Sequence, residues 1–81
     1  MRFNYNELIG RIVARYGTRG RFAAAMGLPE SVLSSRLSQN TYFSMDEIHR
    51  AAELLGIALE EIGLYFFTPE FHFSELNTAE A

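Results

Sequence analysis

The 81-residue chain has no cysteine, no tryptophan, no lysine and only two prolines. Without thiols it can build neither a disulfide framework nor a thiolate metal site to supplement a small core. No run approaches the roughly 18 consecutive apolar residues of a membrane span. The opening residues MRFNYNE also lack the apolar stretch of a signal peptide. The expectation is one small soluble cytoplasmic domain. His49 and His72 lie far apart in the chain and share no ligand-like spacing, so no metal is expected. No serine stands in a nucleophile elbow, and GTRG lacks the lysine and spacing of a phosphate-binding loop. Enzymatic activity, a cofactor and a small-molecule ligand are therefore not expected.

The charge that is present is unevenly placed. Residues 1–40 hold six arginines (2, 11, 15, 19, 21, 36) against Glu7 and Glu30, a balance of +4, whereas residues 41–81 hold Arg50 against eight acids, a balance of −7. A split of this kind points to a basic functional face on an acidic protein. The overall charge of −3 does not exclude DNA, because binding responds to the local field. Every cation is arginine, whose planar fork suits phosphate oxygens and guanine edges.

Apolar spacing predicts four helices. The first opens at Asn4, with Glu7 completing a capping box and Phe3 and Leu8 as a hydrophobic staple. Leu8, Ile9, Ile12, Val13 and Tyr16 form its stripe, Glu7 and Arg11 stand four apart in the favourable order, and Gly17 closes it. Thr18 caps the second helix, which carries Phe22, Ala23 and Met26 and ends at Gly27. Pro29 opens the third, with Val32, Leu33 and Leu37 inward. Ser44, Glu47, Phe43 and Ile48 give the fourth both a capping box and a staple. Its stripe is Ile48, Ala51, Ala52 and Leu55, ending at Gly56. Leu59 to Leu64 suggests a short fifth helix. Phe71 and Phe73 alternate around His72, which favours a short β-strand. Residues 1–68 thus read as a compact all-α domain of four to five helices, and 69–81 as a C-terminal extension with a disordered end.

The sharp turn at RGRFAAAMGLPESVLSSRL carries the functional reading. Two helices cross at about 90–120° over a few residues when the turn residue tolerates positive φ, and Gly27 supplies it. Ala23, four residues earlier, leaves room for close contact. With Leu33 and Leu37 inward, Glu30, Ser31, Ser34 and Ser35 fall together on the outer face of the third helix. Serine is both donor and acceptor on a short side chain, and a glutamate accepts from a cytosine amino group.

FAAAMGLPESVLSSRL resembles the lambda-repressor-like helix-turn-helix class, and the wider layout, with YFSMDEI, AAELLGI and EEIGLYFF, resembles Cro-like regulators of temperate phages of Gram-positive bacteria. The resemblance implies a repressor that reads an operator in double-stranded DNA with its third helix in the major groove. It places Glu30, Ser31, Ser34 and Ser35 at the bases. Thr18, Arg19, Arg21, Arg36, Gln39, Asn40 and Tyr42 are expected at phosphates, Arg19 standing where the class often has glutamine. Arg36 departs from the class, many members of which are apolar there. Tyr65, Phe66, Phe67, Phe71 and Phe73 exceed what one small core needs. They either pack back across the domain or pair two protomers, and a homodimer is the favoured expectation. The rival function is a protein-interaction module on the same scaffold, of antirepressor or antitoxin type.

Overall fold

Asn4 decides how the chain begins. In the computed structural model, which describes residues 2–70, its backbone N–H donates to the Thr68 carbonyl at 2.7 Å. That N–H is therefore not available to Glu7, and the expected capping box does not form. Instead the Asn4 side-chain oxygen accepts from the Asn6 N–H at 2.8 Å, and helix α1 starts two residues later, at Asn6–Tyr16. The segment before it is extended. Phe3 and Pro69 form one antiparallel bridge, and the Glu70 N–H donates to the Arg2 carbonyl at 2.9 Å. Extended pairing does occur at the C-terminal extension, but the strand expected at Phe71 and Phe73 lies outside the described residues.

The remaining helices follow their sequence signals closely. They are α2 (Arg19–Met26), α3 (Glu30–Leu37), α4 (Met45–Leu55) and, after a 3₁₀ turn at Leu59–Glu61, α5 (Ile62–Phe66). Thr18 caps α2 by accepting the Arg21 N–H at 3.2 Å. Pro29 stands just outside α3, as its N-cap. Ser44 and Glu47 form the full capping box of α4. No sheet forms among the described residues, and the domain is all-α.

One core joins all five helices. Leu8 and Ile12 of α1 meet Phe22, Ala23 and Met26 of α2, Leu33 and Leu37 of α3, the Ile48–Ala51–Ala52–Leu55 stripe of α4, and Tyr65 and Phe66 of α5. Val13, expected in the stripe of α1, is half exposed. Tyr65 and Phe66 are 6% and 1% exposed, so these two aromatics belong to the core. The phenol of Tyr65 accepts a hydrogen bond from Arg11 Nη2 at 2.8 Å, and Phe66 meets Phe43 edge-on at 5.4 Å. The dimer surface expected from Tyr65 and Phe66 is therefore filled by the chain itself. A short α5 has to bury both rings to cover α1 and the start of α4.

Candidate recognition face

Helices α2 and α3 meet through a turn of three residues. Gly27 lies in the left-handed region at φ 73°, ψ 26°, which side chains other than glycine enter at a cost. Its N–H reaches back to the Ala24 carbonyl at 3.1 Å, and the Leu28 N–H reaches Ala23 at 2.9 Å. Arg50, from α4, donates to the Met26 carbonyl at 2.9 Å. The end of α2 is thus closed by backbone and by a cation, as helix C-termini favour. Leu33 is fully buried and Leu37 nearly so, which turns Glu30, Ser31 and Ser34 outward, all three exposed.

Ser35, the fourth residue expected on that face, is turned toward the loop after α3. Its hydroxyl shares a hydrogen bond with that of Thr41 at 3.0 Å. Its carbonyl accepts from the Ser38 hydroxyl and from the N–H groups of Asn40 and Thr41. The loop folds back in this way because Gln39 adopts φ 66°. That backbone turns the Gln39 amide toward the N-terminal segment, where it accepts from the Phe3 N–H at 2.8 Å and donates to the Phe3 carbonyl at 2.6 Å. Gln39, expected at a phosphate, ties Arg2–Asn4 to the body of the domain.

Arg36 is the second displaced expectation. Its Nε and Nη2 donate to Glu47 Oε1 and Oε2 at 2.9 and 3.2 Å, and its Nη1 donates to the Thr41 hydroxyl at 2.6 Å. The guanidinium therefore lies against α4 rather than on the outer face of α3. The hydrogen bond from Arg36 holds the Glu47 carboxyl below the usual carboxylate range despite its burial, and the Ser44 N–H adds to the effect. The sequence shows Glu47 as a capping residue. Its second role, as anchor for α3, has no signal in local spacing.

The other arginines are similarly informative. Arg2 pairs with Glu70 at 3.5 Å. Arg11, expected to pair with Glu7, donates to the Leu55 carbonyl at 3.0 Å and lies over the Tyr65 ring. Arg15 rests against Gly56 at the C-terminal end of α4. Arg19 and Arg21 are exposed, with no side-chain hydrogen bond or ion pair among the described residues. Asn40 and Tyr42 are also exposed. Beside them Met45 is 80% exposed, so Tyr42 and Met45 put two large apolar side chains in solvent at the α3–α4 corner.

Glu30 stands at the first position of α3, but its carboxylate leans back on α2. A Cβ added to Gly20 would stand 2.9 Å from Glu30 Oε1. The Glu30 carboxylate thus lies against the open side of Gly20 in the first turn of α2. Of the aromatics expected to pair protomers, Phe67 is 47% exposed and meets Phe3 edge-on, while Phe71 and Phe73 lie outside the described residues. Among the described residues no group of three His, Cys, Asp or Glu is placed to hold a metal. His49 pairs with Glu53 at 3.3 Å on the exposed side of α4. No helix among the described residues is long and apolar enough to cross a membrane.

Residues 1–69 match the model of a family described as a protein of unknown function, DUF739. The chain belongs to the DUF739 family. The family matched is thus not one described as Cro-like. Among solved structures, the chain is similar to the solution structure of the modulator of repression of the temperate bacteriophage TP901-1 from Lactococcus lactis. The two share 36% identity and superpose with a TM-score of 0.75, over 89% of this chain and 97% of that one. No curated protein matches. This DUF739 chain therefore has the fold of a small helical temperate-phage regulator.

Proposed function

We propose that this DUF739 protein is a modulator of repression that works by binding another protein through the face formed by α2, α3 and the α3–α4 corner. The placement of the arginines carries this reading. Of the six in residues 1–40, Arg2, Arg11 and Arg36 are hydrogen-bonded or ion-paired within the chain, and Arg15 rests on the end of α4. Arg19 and Arg21 are left beside the turn, on a protein of net charge −3. Nucleic-acid affinity comes largely from neutralised phosphates, and the two arginines beside the turn supply little of it. Hydroxyl groups from Ser31 and Ser34 with the exposed Tyr42 and Met45 make instead a mixed polar and apolar surface, as protein interfaces have. The similarity to the TP901-1 modulator of repression gives the process in which that surface acts.

A second reading is sequence-specific DNA binding, with α3 in the major groove of an operator and the chain acting as a Cro-like homodimer. It is favoured by the exposure of Glu30, Ser31 and Ser34 on α3 together with Arg19 and Arg21 on α2. A gel-shift assay with the repressor of the same genetic element and its operator separates the two. On the first reading the chain alone leaves the operator free at 50 mM salt, and its addition changes the repressor's occupancy. Ser34→Arg abolishes that effect while the chain stays folded. Retardation of the operator by the chain alone, falling steeply between 50 and 200 mM salt, would replace the first reading by the second.

A further inference from the structure

The α2–α3 face combines features that attract phosphate with one that repels it. The start of α2 carries Thr18, Arg19 and Arg21, the last two exposed, and the first turn of a helix directs N–H groups toward anions. Between the two arginines stands Gly20, and the space its missing side chain leaves is filled by the Glu30 carboxylate, 2.9 Å from the position of a Cβ. Glycine leaves that position open, and the Glu30 carboxylate lies against it. We propose that Glu30 is a specificity-determining residue that makes this face disfavour nucleic acid, by placing a negative charge against the first turn of α2. The proposal rests on the reading of the face as a protein-binding surface, and supplies the means by which a helix-turn-helix scaffold avoids DNA.

Geometry makes Glu30 suited to this task. It occupies the first position of α3 and reaches across the crossing to the second position of α2, so its charge belongs to both elements that would approach a duplex. The three atoms nearest the Cβ position of Gly20 all belong to Glu30, whereas Asp46, Glu47 and Glu53 lie on α4 and Glu60 and Glu61 on the 3₁₀ turn. A phosphate brought to the first turn of α2 would approach the Glu30 carboxylate, which lies against Gly20. Two like charges about 4 Å apart repel by about 1 kcal/mol even in bulk water.

The test uses a fluorescein-labelled 20-base-pair duplex of random sequence, titrated with the full chain at 50 and 200 mM salt. Glu30→Gln is compared with Glu60→Gln, which changes the net charge equally but lies on the 3₁₀ turn. Glu30→Gln is expected to bind the duplex about fivefold more tightly than the unmodified chain at 50 mM, with a salt slope steeper by about one phosphate contact. Glu60→Gln is expected to stay near the unmodified affinity. Adding Arg19→Ala to Glu30→Gln should abolish the gain, and circular dichroism confirms that each variant is folded. Equal gains for Glu30→Gln and Glu60→Gln, or no gain for either, would overturn the assignment. The unmodified chain reports separately on the function: tight, operator-selective binding by it would refute the protein-binding reading, and the difference between the two variants would still be readable.

Discussion

Glu47 Oε1 accepts two hydrogen bonds, one from Arg36 Nε at 2.9 Å and one from the Ser44 N–H at 3.0 Å. One carboxylate therefore closes the N-terminus of α4 and holds the last turn of α3. Both side chains of the ion pair are mostly buried, at 20% and 12% exposure, which raises the pair above the usual worth of a surface salt bridge. Removing one partner of such a pair strands the other. Glu47→Ala is expected to destabilise the domain by about 2–3 kcal/mol, the loss of a cap together with a partly buried charge pair. Arg36→Met should cost less, because Glu47 keeps its place in the capping box. Urea unfolding of both variants checks the order, and a greater loss for Arg36→Met would show that α3 rather than α4 depends on the pair.

The same contact gives the domain an acid-sensitive step. The folded pKa of Glu47 is lowered from 4.5, chiefly by Arg36. A depressed carboxyl contributes its full stability above the unfolded value and loses it as pH falls through the folded value. Stability measured by urea unfolding should therefore decline below about pH 4.5. Glu47→Gln should be less stable at neutral pH and show a shallower decline. Parallel pH profiles for the two proteins would remove Glu47 from this role.

Gly27 tests the turn. Its φ of 73° is strained for a side-chain-bearing residue, yet nothing lies within 4 Å of an added Cβ. The cost of substitution is thus conformational and not steric. Gly27→Val should destabilise by about 1–2 kcal/mol or more, and Gly27→Asn by clearly less, since asparagine tolerates the left-handed region. Thermal melts of the two variants decide the point, and equal losses would mean that crowding governs the turn.

Gln39 joins the N-terminal segment to the loop after α3, and it does so from a left-handed backbone at φ 66°. Gln39→Gly removes both hydrogen bonds to Phe3 while relieving the backbone. Gln39→Ala removes them and keeps the strain. Alanine is therefore expected to be the more destabilising, by about 1 kcal/mol over glycine. In both variants the Phe3 amide should lose protection from hydrogen exchange. Unchanged protection at Phe3 would show that the bridge to Pro69 alone holds the segment.

Phe66 and Phe67 divide the aromatic tail between core and surface. Phe66→Ala should cost about 3–5 kcal/mol, the range for an aromatic removed from a core. Phe67, 47% exposed, should cost far less on the same substitution. Comparable losses in urea unfolding would place Phe67 in the core as well.

Local sequence signals placed the helices, their stops and most of their buried stripes, Val13 excepted. Apolar spacing, the Thr18 and Ser44 caps and the glycines at 27 and 56 are local signals, readable because a helix relates residues three and four apart. They also placed Glu30, Ser31 and Ser34 outward, since Leu33 and Leu37 fix the rotation of α3. Tertiary structure alone decided which polar groups remain available. Asn4 lost its cap to Thr68, Gln39 turned to Phe3, Arg36 to Glu47 and Arg11 to Leu55 and Tyr65, all partners between 11 and 64 residues away. A long side chain finds its partner only after the helices have packed, and one-dimensional spacing holds no record of that. Of the arginines in the first half, the packed domain ties Arg2, Arg11 and Arg36 to partners within the chain and leaves Arg19 and Arg21 exposed.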